Sequence, residues 1–117
     1  MTLSGSEMKL LEAQSASFGE AHKSCLAEAI NAIRGSGDPR AAVRLLTTLS
    51  QGARPQQQDA FVDVRRWLEG RLRTEPGISA ERVLLELGWL RRMSVARSAG
   101  LMGEYTRQQG PSRRGGR

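Results

Sequence analysis

The ten residues from Val64 to Arg73, VRRWLEGRLR, set four arginines around one tryptophan on an apolar rhythm of helical spacing. Guanidinium groups favour phosphate oxygens, which they bind with a planar two-pronged fork where an ammonium offers only a point charge. A tryptophan among them suits stacking on a base or anchoring a subunit contact. The whole chain shares the bias: 18 Lys and Arg stand against 12 Asp and Glu, sixteen of the 18 are Arg, and the net charge is +6 at pH 7. The isoelectric point lies near 11.0. A GC-rich genome would favour Arg codons whatever the protein does, which accounts for Arg over Lys but not for the surplus of positive charge. That surplus indicates a polyanionic partner and says nothing about fold.

Other chemistries lack the residues they need. The chain has one His and one Cys, and no paired-carboxylate motif, so a hydrolytic triad, a metal centre and an acid–base pair are each short of parts. His22 falls on the apolar side of its segment near Phe18 and Cys25, where a hydrogen-bonded boundary residue is expected. Cys25 is read as a small core residue. No Gly-rich loop leads into a phosphate-binding Lys, and no dinucleotide fingerprint follows a strand. Enzymatic activity, a cofactor, a metal and a small-molecule substrate are therefore not expected. A sole cysteine forms no internal disulfide. No run approaches the roughly 20 apolar residues of a membrane span, and MTLSGSEMKLLE lacks the basic start and apolar middle of a signal peptide. A cytoplasmic location away from membranes is the expectation.

The elements that must position these side chains follow from composition and periodicity. At 117 residues the chain supports one compact core and not two. Aromatic residues are only 4% of the chain, so Leu, Val, Ile and Ala must fill that core, which suits packed helices better than a sandwich of strands. The fold class predicted is all-α: a compact bundle of four to five helices over residues 1–102, followed by a disordered basic tail over 103–117.

Leu11, Phe18, Cys25, Ala29 and Ile33 recur at helical spacing and predict one long helix over about 7–34, with Ser6 as its cap and Gly19 as a point of kinking or interruption. Asp38-Pro39 opens a second helix, as an acceptor cap followed by a proline whose missing N–H is harmless there. Ala42, Leu45, Leu46 and Leu49 line its core side, and Gly52 closes it. Pro55 opens a third helix with Phe61, Val64, Leu68 and Leu72 inward, ended by the turn Thr74-Glu75-Pro76-Gly77. Ser79 caps a fourth, whose Val83, Leu84, Leu87 and Leu90 form one apolar face and Leu85, Trp89, Met93 and Ala96 a second. A helix apolar on two sides is either central in its own bundle or covered by a neighbouring chain.

With core positions assigned, the remaining arginines fall outward in stripes. Arg40, Arg44, Arg66, Arg73, Arg92 and Arg97 are the candidate nucleic-acid-binding residues, and Leu85, Trp89, Met93 and Trp67 the candidate protein interface. Arg82 is outward as well, but Glu86 lies four residues on, and Glu69 lies three from Arg66; both pairs imply partial neutralisation. Arg40 and Arg44 have no acidic partner at helical spacing, and like charges four apart repel by a few tenths of a kcal/mol unless a ligand relieves them. A phosphate contact of this kind fixes position without reading bases.

Two further stretches bear on nucleic acid. Ser112 to Arg117, SRRGGR, is similar to the arginine-glycine boxes of RNA-binding tails; a solvated charged tail has the same composition. Residues 84–101 resemble the second half of a helix-turn-helix with Gly88 at the turn. The spacing from Gly88 to Val95 is one residue too long, and Leu90 is apolar where a small polar residue normally starts the reading helix. A continuous helix is the simpler account.

In size, helix rhythm, basic surface and second apolar face, residues 7–102 resemble the small helical subunit of multi-subunit CRISPR effector complexes. The stretches that carry the resemblance are DPRAAVRLL, FVDVRRWLEGRLR and ERVLLELGWLRRMSVAR. It implies a non-catalytic, cytoplasmic subunit of a ribonucleoprotein. Such a subunit contacts the guide–target duplex or displaced strand through backbone phosphates and packs against neighbours, including further copies of itself. A helix-turn-helix-like DNA-binding regulator and a helical protein–protein adaptor are the alternatives.

Overall fold

In the computed structural model, residues 2–100 are described, and they form five helices. These are α1 (Gly5–Ser15), α2 (His22–Ser36), α3 (Pro39–Gln51), α4 (Pro55–Thr74) and α5 (Ala80–Ser98). The expected tail over 103–117 lies outside the described residues.

The helix expected over 7–34 is two helices. Ser15 Oγ donates to the Glu12 carbonyl at 2.7 Å and Ser17 Oγ to the Gln14 carbonyl at 2.8 Å. Local side-chain bonds of this kind compete with continuation of the helical ladder. Phe18 then turns inward to 2% exposure and stacks on the His22 ring with centroids 4.8 Å apart. The Gly19 N–H donates to His22 Nδ1 at 2.8 Å, so a side chain at the start of α2 satisfies the turn that precedes it. The first cap is Ser4 and not Ser6: its side chain accepts from the Glu7 N–H while the Glu7 carboxylate accepts from the Ser4 N–H, a complete capping box.

The later signals sit where the sequence puts them. Asp38 caps α3, Gly52 closes it, and Ser79 caps α5 by accepting from the Arg82 N–H. Gly37 ends α2 at φ 72°, a left-handed conformation that residues bearing a Cβ rarely adopt. Helix α5 runs unbroken through Gly88, so the turn required by a helix-turn-helix at that position is not formed.

Packing follows from the apolar stripes. α3 and α4 form an antiparallel hairpin tied by Gln58 Nε2, which donates to the Ser50 carbonyl at 3.0 Å. α2 packs against α3, α4 and α5, while α1 lies on α5. Leu26, Ile33, Leu46, Val64, Leu68, Val83, Leu87 and Leu90 are fully buried where these helices meet, and each large apolar side chain so buried contributes about 1.5–3 kcal/mol. Cys25 is in the same core at 0% exposure, and burial pushes its thiol pKa up to about 11. No helix among the described residues is long and apolar enough to cross a membrane.

The second apolar face of α5 is divided between the bundle and the surface. Arg82, Glu86, Met93 and Arg97 share one side of α5, and α1 docks there, running in the same direction: Arg82 meets Glu7, while Arg97 reaches Glu12 and Ser15. Met93 is therefore core, 3% exposed, and the expectation that it forms part of a protein interface is corrected. The reason is that the first helix ends at Ser15 and lies on α5 as a separate element, where a helix continuous with α2 could not. Leu85 and Trp89 remain half-buried.

Candidate nucleic-acid interface

The arginines divide into those the fold uses internally and those it leaves outward. Glu86, 4% exposed, is the centre of the internal set. Arg71 grips it with a two-pronged fork, Nε to Oε1 at 2.7 Å and Nη2 to Oε2 at 2.8 Å, and Arg82 Nε adds a third bond at 2.8 Å. Arg71 also donates to Glu75 at 3.1 Å, and Arg82 to Glu7. The chain Glu75–Arg71–Glu86–Arg82–Glu7 ties α4, α5 and α1 together. Its electrostatics are strong: the hydrogen bonds Arg71 donates to Glu86 raise the Arg71 pKa further above its ordinary value. The Ser4 N–H and Arg82 hold Glu7 down at about 2.

Arg97 belongs with this internal set. Its Nη2 lies 3.2 Å from Ser15 Oγ and 3.4 Å from the Glu12 carbonyl, and its Nε is buried without a partner. The sequence placed Arg97 on the nucleic-acid surface; the docking of α1 removes it from there. The expected pairing of Glu69 with Arg66 is also corrected, since the cation nearest Glu69 is Arg65, Nε to Oε1 at 3.8 Å.

Four of the remaining candidates belong to the hairpin of α3 and α4. Because the two helices are antiparallel, the start of α3 lies beside the end of α4, and Arg40, Arg44 and Arg73 line one shallow groove of about 440 Å³ with Val43, Leu72 and Glu69. Arg40 and Arg44 are one turn apart on α3, which sets their Cβ atoms about 5–6 Å from each other. Arg66 is outward on α4, two turns from Arg73 and so about 10 Å along the axis. Among the described residues, Arg40, Arg44, Arg66 and Arg73 form no ion pair, and all four are exposed. The groove opens beside the positive end of the α3 dipole, although Asp38 already accepts from the Arg40 N–H there at 3.0 Å.

Arg92 is separate. It lies on α5 with its guanidinium 4.7 Å from the centre of the Trp89 ring, a cation–π contact. Trp67 is separate too, and lines two hollows between α1 and α4. One is bordered by Leu10, Leu11, Arg71 and Glu75, the other by Gln14, Phe18, Asp63 and Arg66. Leu10, 72% exposed, is the most exposed large apolar side chain among the described residues.

His22 Nε2 lies 2.9 Å from an Asp63 carboxylate oxygen. Since Nδ1 accepts from Gly19, the neutral ring carries its hydrogen on Nε2 and donates to Asp63. This pair closes α2 onto α4. Among the described residues, His, Cys, Asp and Glu side chains nowhere gather in a group of three or more that could hold a metal ion. No family model, curated protein or solved structure matches the chain.

Proposed function

We propose that this chain is a non-catalytic, cytoplasmic nucleic-acid-binding subunit of a ribonucleoprotein, of the kind implied by its resemblance to the small subunit of CRISPR effector complexes. The observation that carries the reading is the sorting of arginines. Arg71, Arg82 and Arg97 are engaged inside the bundle, whereas Arg40, Arg44 and Arg73 converge on one open groove with no carboxylate of the described residues bonded to any of them. Exposed guanidinium groups held side by side with no carboxylate bonded to them repel one another, and phosphates along a backbone relieve that repulsion. Arg66 extends the track along α4. The contacts are to backbone, so binding is independent of sequence. Neighbouring subunits, further copies of the chain among them, pack on the half-buried Trp67, Leu85 and Trp89.

A salt titration tests this. Each phosphate neutralised on a single strand contributes about 0.7 to the slope of log K against log salt, so three arginines predict a slope near −2, on the order of the sum of those terms. Fluorescence anisotropy with a labelled single-stranded oligonucleotide measures it. Changing Arg40, Arg44 and Arg73 together to Ala is expected to flatten the slope and abolish binding at moderate salt. Undetectable binding at low salt, or a slope unchanged in the triple variant, would overturn the proposal.

A further inference from the structure

Glu69 is the one residue of the α3/α4 groove whose charge opposes the phosphate-binding reading. It lines the groove with Arg40, Arg44 and Arg73, yet it bonds to none of them. Arg73 is four residues on, in the Glu-before-cation order that favours a helical pair. Among the described residues, Glu69 pairs only with Arg65 on the preceding turn, at 3.8 Å, too long for a hydrogen bond. Its side chain is 44% exposed, so its carboxylate stays accessible to a ligand that enters the groove it lines.

A carboxylate accepts hydrogen bonds and donates none. Placed among guanidiniums it weakens attraction for every phosphate that enters, and that loss is recovered only if the ligand presents a donor at the same place. The groove also has an apolar floor. Val43 and Leu72 are partly buried against the core, and they offer a surface to the carbon face of a sugar between flanking cations. Phosphates on Arg40, Arg44 and Arg73, a sugar over Val43 and Leu72, and a donor from that sugar toward Glu69 together describe one unit of a ribonucleotide chain. In DNA the corresponding donor is missing, because the 2′-hydroxyl is the group that distinguishes the two backbones.

We infer that Glu69 accepts a hydrogen bond from a ribose 2′-hydroxyl and makes the α3/α4 groove selective for RNA over DNA. The inference rests on the backbone-binding reading above, and adds to it the kind of nucleic acid bound and the residue that selects it. Arg40, Arg44 and Arg73 supply affinity without discrimination, and Glu69 supplies discrimination while lowering affinity for a backbone that lacks the hydroxyl.

The test uses the full chain and three labelled single strands of one mixed sequence, about 12 nucleotides long: RNA, DNA and 2′-fluoro RNA. The fluoro strand keeps the charge and sugar shape of RNA but donates nothing. The native chain is expected to bind RNA about fivefold more tightly than the fluoro strand, the factor set by one net hydrogen bond. Glu69→Ala is expected to remove that difference while tightening both the fluoro strand and DNA, because a negative charge has left the groove. Glu69 has no hydrogen bond within the described residues, and a thermal melt checks that the variant retains its fold. Equal binding of RNA and 2′-fluoro RNA by the native chain, or a preference that survives in Glu69→Ala, overturns the inference and leaves the backbone reading in place. Failure of all three strands to bind at low salt overturns both.

Discussion

Replacing Glu86 by Gln tests whether the internal set of arginines holds the bundle together. Glu86 accepts three bonds of 2.7 to 2.8 Å from Arg71 and Arg82. An amide in its place keeps one oxygen and turns an N–H donor toward a guanidinium donor. Removing one partner of a fully buried ion pair costs about 3–5 kcal/mol. Arg71 and Arg82 are 24% and 21% exposed, and Arg71 keeps Glu75 while Arg82 keeps Glu7, so water and the outer carboxylates recover part of that loss. The expected destabilisation is about 2 kcal/mol, a large share of the 5–15 kcal/mol typical of a domain. At about 4–8 °C per kcal/mol for a domain near this size, the melting temperature falls by roughly 8–16 °C. Urea unfolding followed by circular dichroism measures the free energy, with the slope expected to stay constant. A double-mutant cycle with Arg71→Ala isolates the pair and is expected to return a coupling of about 1–2 kcal/mol. A Glu86→Gln loss below about 0.5 kcal/mol, the range of an ordinary surface change, refutes the reasoning. It would also return Arg71 and Arg82 to the pool of arginines available to a ligand.

Glu7 is held down at about 2 from an ordinary value of 4.5 by the Ser4 N–H and by Arg82. A depressed carboxylate contributes stability that is complete above its unfolded pKa and disappears as the proton binds the folded state. Stability is therefore expected to fall as pH drops from about 4.5 toward 2, and in Glu7→Gln that part of the dependence, read from urea midpoints across the range, should vanish. Gly37→Ala meets no heavy atom within 4 Å, so its effect isolates the left-handed backbone at φ 72°. The expected loss is about 1–2 kcal/mol, and an unchanged melting temperature would contradict the assignment of that cap.

The division between what is legible in the sequence and what is not follows the range of the forces involved. Caps, turns and apolar stripes are local. Asp38-Pro39, Pro55, Ser79 and the stripe of Val64, Leu68 and Leu72 each fix a helix boundary or face through interactions a few residues long, and the all-α class follows from them together with the scarcity of aromatics. The sequence likewise fixes the surplus of positive charge and the lack of an acidic neighbour at helical spacing from Arg40 and Arg44. The fate of the other arginines depends on which helix lies beside which. Once Ser15, Ser17 and Phe18 end α1 early, the segment docks across α5, buries Met93 and engages Arg97 through backbone and hydroxyl oxygens 82 to 85 residues away in the chain. That same packing takes Arg82 to Glu7, a contact no periodicity reveals. The antiparallel closure of α3 on α4 then brings Arg40 and Arg44 to Arg73 and Glu69. Local propensity made these guanidiniums outward-facing, and only tertiary packing decided which of them share a groove, because that depends on long-range helix contacts with no sequence period.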